Sequence, residues 1–291
     1  MSRFVLLTIS GLADGAIYAL IALGFVLIYK ATGVINFAQG DLVTLGAYVA
    51  LWAYQDLRLT LATSALVAVL ALACTGAVLE RVAAAPLRGR SVHVVVIATL
   101  GAALVIRSLV IRWKGTSPQR LPGFFGFRTV EVLGARIPMQ NLLILGAAAL
   151  ALSLVALLLQ GTSFGRQVRA LATDRTTAQL MGISVDRLSM AAFALAAALA
   201  AVGAVLVAPT QQLTPTFGFG PMLFAFAAAI IGGFGRIGGV ALAAVLLGVL
   251  QQWATGYIDP SYREIYPFVL MLGILAVRPK GLLPEQVGQR V

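Results

Sequence analysis

The chain has 291 residues, 60% of them apolar and 11% charged, with a mean hydropathy of +0.96 and a net charge of +11. A water-soluble domain carries about 25% charged residues, so a soluble globular fold is excluded. The basic excess does not indicate nucleic acid, because no basic run is interleaved with aromatics, and Lys and Arg in membrane-protein loops set topology and meet anionic headgroups.

The chain therefore reads as an all-α, polytopic membrane protein, a single transmembrane domain over 1–291 made of spans and short connectors. A helix needs about 20 residues to cross the hydrocarbon core. Apolar runs of that order lie near 4–29, 61–79, 92–111, 138–159, 188–208 and 237–257, and shorter ones near 36–54, 217–232 and 265–277. This predicts about nine spans, with eight or ten also compatible.

In the first run, Gly11-x-x-x-Gly15 offers a small-residue surface that lets another helix approach closely, or simply belongs to a glycine-rich apolar helix. Asp14 is costly inside a span, so it faces a cavity or a polar partner, unless it lies near the external boundary and is solvated. Next, Asn36, Gln39 and Asp41 put polar side chains where the second span should begin, and Gly33 and Gly40 weaken continuous helix there. Either the helix is broken at membrane depth and lines a pathway, or this is a short cytoplasmic turn. Cys74, in the third run, reads as a small buried apolar residue. Thr99 could offer its hydroxyl to a ligand, although such a threonine more often bonds its own helix carbonyl four residues back. Arg107 either snorkels to the external interface, the favoured reading, or is paired inside.

The stretch 112–137 is rich in Gly and Pro and carries five cations. It is followed by a span, and then by the longest polar segment between apolar runs, Gln160–Arg187. Here Val168, Leu171, Ala172, Ala178 and Met181 recur at spacings that let them share one side of a helical path. Arg175 interrupts that side, which predicts two short helices. Asp174 can cap the second, and Gly182 can end it in the left-handed conformation. The segment is thus an amphipathic, bent hairpin of helices in the aqueous phase. The span that follows is dense in alanine and suits tight helix packing. The late stretch Ile231–Gly239 holds five glycines in eight residues, which allows a sharp turn at the membrane surface. If Gln160–Arg187 is cytoplasmic, alternation puts twelve Lys and Arg on that side and eight on the other, with Arg107 inside a span. That bias has the sign expected for cytoplasmic loops.

Several blocks resemble one family. Residues 18–50, YALIALGFVLIYKATGVINFAQGDLVTLGAYVA, look like the amino-terminal stretch of LivH-family permeases, subunits of branched-chain amino acid ABC importers. The Ala-Thr-Leu-Gly run at 98–101, the Gly-rich turn at 231–239 and the Arg-Pro-Lys-Gly-Leu ending at 278–282 look like further family segments. Thr176–Gly182 is similar to the E-A-A-x-x-x-G coupling motif of such permeases; Ala178 and Gly182 match, while Thr176 stands in place of Glu.

The resemblance implies a multi-pass subunit of the bacterial inner membrane. Its implied partners are a second, related permease (a heterodimer), two cytoplasmic ATPases and a solute-binding protein, with ATP on the partner subunits and no cofactor in this chain. It implies a pathway near Asp14, Tyr18, Asn36, Gln39 and Thr99, and ATPase coupling through Arg166, Arg169, Asp174, Ala178 and Gly182. The chain has no G-x-x-x-x-G-K-S/T motif, so it is read as a transport subunit and not an enzyme. Few ionisable residues lie in the spans, which suits a zwitterionic amino acid but also urea or short amides. A stand-alone secondary transporter or channel would need an ion-coupling site, for which one intramembrane carboxylate and no histidine cluster is thin material.

Overall fold

The computed structural model describes residues 2–277 except 127, 133, 235, 236 and 264. Eleven α-helices occur among them: α1 (Ser2–Thr32), α2 (Gln39–Gln55), α3 (Leu61–Leu79), α4 (Val92–Lys114), α5 (Met139–Gly161), α6 (Ser163–Thr173), α7 (Arg175–Leu180), α8 (Val185–Val207), α9 (Phe219–Gly232), α10 (Ile237–Tyr257) and α11 (Tyr266–Val277). A π segment and a 3-10 turn continue α3 to Leu87. Within the basic stretch 112–137 and just beyond it, the chain forms a small antiparallel hairpin that the sequence reading did not contain. Its strands are β1 (Thr129–Val132) and β2 (Ala135–Pro138), with Glu131 opposite Arg136 and a turn glycine, Gly134, at φ +76°.

Among the described residues, six helices are long and apolar enough to cross a membrane: α1, α3, α4, α5, α8 and α10. These are the six strong runs of the sequence. Helices α2, α9 and α11 occupy the three shorter runs; α2 has 17 residues, near the lower limit for a crossing, α9 has 14, and the described part of α11 has 12. The first two are short for a visible reason: part of their path is irregular backbone. Residues 33–38 break the chain before α2, and residues 211–218 run alongside α2 before α9 begins. The second stretch is held by protein partners, as buried irregular backbone must be. The Tyr48 hydroxyl donates to the Leu213 carbonyl at 3.3 Å, and the Gly218 N–H donates to the Thr44 hydroxyl at 2.9 Å.

Helix α1 is the axis of the bundle. It is apolar all round, and every residue from Gly15 to Ile28 is buried, which is what a helix without a polar face requires. Helices α5, α8, α9 and α10 surround it. The outer helices show the reverse pattern to a soluble protein. On α3 the inward stripe is Ser64, Ala68, Leu72 and Gly76, and on α4 it is Val95, Thr99, Ala103, Ile106 and Val110. Small and polar residues face inward, while Leu66, Leu70, Leu104 and Leu157 face outward, where lipid is the solvent. Cys74 also lies on the exposed face of α3, so its expected burial is corrected.

The charges sort to the two ends. Lys30, Arg88, Arg90 and Arg175 collect around hollows at one end, with the 160–187 segment. At the other end Lys114 pairs with Asp56, and Arg263 with Asp14. Arg236 and the Arg-Pro-Lys-Gly-Leu ending lie outside the described residues.

Candidate functional site

The break between α1 and α2 is where three of the five pathway residues meet. Gly33, at φ +75°, ends α1, and the chain from Gly33 to Ala38 is not helical. Asn36 stabilises the break from within: its Oδ1 accepts from the Ala38 N–H at 3.1 Å, as an Asx turn does. Its Nδ2 is buried without a partner. Gln39, fully buried, donates through Nε2 to the Ala196 carbonyl of α8 at 3.2 Å and leaves Oε1 unpaired. Thr99 does more than bond its own helix. Its hydroxyl donates to the Val96 carbonyl, three residues back and not four, and accepts from the Phe37 N–H at 3.3 Å. The helix is broken here, and the polar side chains of the break are buried against α4 and α8. Orphaned buried donors and acceptors are rare, and two of them, Asn36 Nδ2 and Gln39 Oε1, lie at this break.

Just beyond lies a charge pair whose partner the sequence reading did not name. Arg107 donates to both carboxylate oxygens of Asp41, at 2.9 and 3.3 Å, across the α2–α4 contact. Snorkelling of Arg107 is therefore corrected: the guanidinium turns inward because an intramembrane carboxylate is within reach. The signal was present, since two opposite charges inside spans usually find each other, but sequence does not say which helices adjoin.

Asp14 and Tyr18 form a separate group. Gly24 of α1 lies against Gln39, and Asp14 sits ten residues earlier, about 15 Å along the helix. Asp14 accepts from Gln252 of α10 at 2.8 Å and from Arg263 at 3.0 Å, and its side chain is 19% exposed. Tyr18 donates to Gln251 at 3.0 Å and packs on Phe224, with ring centroids 5.0 Å apart. Phe224 in turn lines a hollow of about 280 Å³ with Gln211, Gln212, Thr214 and Thr216. Farther along α9, Phe226 packs against Phe25 and Phe37, each at 5.8 Å. Aromatic rings thus stand between this group and the break.

The 160–187 segment folds as two helices meeting at Asp174. The Asp174 carboxylate accepts from the N–H groups of Thr176 and Thr177 at 2.9 and 3.2 Å, which caps α7. Gly182, at φ +83°, closes it. Val168, Leu171 and Ala178 are buried against Val185 and Leu188 at the start of α8. Ala172 and Met181 do not join them: Ala172 is one residue past Leu171 on α6 and is exposed, and Met181 is exposed beyond the bend at Asp174, at the end of α7. Arg169 donates to the Leu159 carbonyl and ties α6 back onto α5, while Arg166 is exposed. Asp174→Ala is expected to destabilise α7 by about 1 kcal/mol, read as roughly fivefold faster amide hydrogen exchange over 175–180.

Comparison with known proteins agrees with this layout. A family model described as branched-chain amino acid transport system / permease component matches residues 7–275. The chain is 31% identical to the high-affinity branched-chain amino acid transport system permease protein BraD of Pseudomonas aeruginosa, over 97% of this chain and 96% of that one. It is 30% identical to LivH, the corresponding permease protein of Escherichia coli, with the same coverage. It is 28% identical to the ribose import permease protein RbsC of Escherichia coli, over 92% of this chain and 84% of that one. No solved structure matches. A match over nearly the whole chain, on a bundle of apolar helices, leaves one placement: this chain belongs to the family of branched-chain amino acid transport system permease components, as a multi-pass transport subunit of the inner membrane.

Proposed function

We propose that the chain is one permease subunit of an ATP-binding-cassette importer for branched-chain amino acids or similar apolar zwitterions. In this reading it works with a second, related permease, two cytoplasmic ATPases that bind the ATP, and an external solute-binding protein. The relatives' names support the solute class. The observation that carries the mechanism is the tip of the 160–187 segment, where Leu180 and Met181 are 85% and 78% exposed beside a capped helix. Two large apolar side chains in water are unfavourable by about 1.5–3 kcal/mol each relative to burial, and a groove on an ATPase would bury them.

Movement of that tip has a route to the pathway. Ala178 packs on Val185 and Leu188 of α8. The same helix carries the Ala196 carbonyl that Gln39 bonds at the α1–α2 break. A push on α7 therefore tilts α8 and disturbs the hydrogen bonds that hold the break. The polar groups there, Asn36, Gln39 and Thr99, are uncharged and can pass a zwitterion without trapping it. In proteoliposomes holding the assembled transporter, Ala178→Phe and Gly182→Val are expected to lower leucine uptake by about tenfold or more, with ATP hydrolysis no longer stimulated by the binding protein. The first overfills a packed site, and the second strains a left-handed position by ~1–3 kcal/mol. Normal uptake and normal stimulation in both variants would refute the coupling role. Uptake of urea in place of leucine would keep the mechanism and overturn the solute.

A further inference from the structure

A cavity of about 350 Å³ opens at the Lys30 end of the bundle, between the α1–α2 break, the start of α4 and the start of α8. Its wall includes the apolar side chains of Val95 and Phe193. Two polar side chains on it, Asn36 and Ser189, are each 1% exposed, and Asn36 Nδ2 and Ser189 Oγ have no hydrogen-bond partner. Buried donors without partners are the usual mark of an absent ligand or water. Arg88, Arg90 and Arg175 also line the cavity, and among the described residues no carboxylate does. The nearby acids are already engaged, since Glu80 and Asp186 both pair with Arg88. The first turn of α4 beside the cavity has no side-chain cap, so its N–H groups add positive potential.

This chemistry separates an anion from a zwitterion. A carboxylate would meet donors and guanidinium groups. An ammonium would meet the guanidinium groups of Arg90 and Arg175, and the acids nearest the cavity are held by Arg88. We propose that the cavity is an inward-facing site for a small branched monocarboxylate that lacks an ammonium group, distinct from the transported solute. The short apolar tail would lie against Val95 and Phe193, and the carboxylate would take the free hydrogens of Asn36 and Ser189.

An anionic phospholipid presents the same head-and-tail chemistry, so the test includes it. The chain, with whatever membrane partners co-purify, is placed in phosphatidylcholine nanodiscs, and binding of isovalerate, leucine and isoamylamine is measured by calorimetry. Isovalerate is expected to bind at least about tenfold tighter than leucine, with no binding of the amine. Ser189→Ala and Arg175→Gln, both expected to leave the monodisperse elution unchanged, should each weaken isovalerate about tenfold. Leucine binding equally well, isovalerate not binding, or affinity unmoved by both substitutions would each overturn the proposal. Affinity kept in nanodiscs containing phosphatidylglycerol supports the small acid. Affinity lost there through competition assigns the site to a lipid headgroup and overturns it.

Discussion

Gly248→Leu is expected to prevent the bundle from assembling, and Gly15→Leu to do nearly the same. A Cβ on Gly248 would stand 2.4 Å from the Gly15 nitrogen and 2.5 Å from the Gly11 carbonyl oxygen. One on Gly15 would stand 2.7 Å from the Cα of Val245. Carbon atoms pack at about 3.5–4.0 Å, so α1 and α10 would have to part by about 1 Å or more. Neither obstacle is a flexible side-chain end; both are backbone. Because α1 is also enclosed by α5, α8 and α9, it cannot shift without unpacking them. The cost is expected at or above about 3 kcal/mol, the upper range for overpacking a core, against a total stability of roughly 5–15 kcal/mol. The measurement is the fraction of monodisperse protein after mild-detergent extraction, with its thermal midpoint. Gly101→Leu is the control, since nothing lies within 4 Å of a Cβ there. An unchanged midpoint for Gly248→Leu would show that the α1–α10 seam is not as drawn.

The second large effect concerns Asp41 and Arg107. Replacing Arg107 with Gln leaves a carboxylate whose side chain is 6% exposed without a counter-charge. The Arg107 side chain is 29% exposed, so the pair is buried mainly on its carboxylate side. Breaking a buried pair from one side costs about 3–5 kcal/mol, whereas replacing both charges with neutral groups costs far less. Arg107→Gln is therefore expected to lower the unfolding midpoint strongly, and Asp41→Asn combined with it to restore most of the loss. A double-mutant coupling near zero would mean that the two charges do not interact. The pair is also the polar tie of α4, whose Leu100, Leu104, Val105 and Leu109 are exposed. Loss of the pair should loosen α4 and withdraw Thr99 from the Phe37 N–H, so leucine uptake should fall with stability.

The contrast between Arg107 and Asp174 shows what could be read from sequence. Asp174 caps a helix whose N–H groups are two and three residues away, so local chemistry was enough to place both the cap and the bend. Arg107 depends on a partner 66 residues away, and local chemistry pointed it to the interface instead. Met181 failed for a related reason: its spacing assumed one continuous helical path, and the bend that the same reading predicted breaks that path.

Length and hydropathy determined by themselves that this is an all-helical membrane protein, because a run of about 20 apolar residues has no stable alternative in lipid to a hydrogen-bonded helix. Capping residues and glycines determined the two helices of the 160–187 segment, since their effects act within one turn. Tertiary structure alone decided that α1 is the enclosed axis, that Asn36, Gln39 and Thr99 meet at one break while Asp14 and Tyr18 stand about 15 Å away, and that Ser189 and three arginines share a cavity. Those outcomes depend on which helix faces lie together. In a chain whose outward and inward faces are both apolar, hydrophobic patterning carries almost no information about that, and the close approach of small residues such as Gly15 and Gly248 settles it.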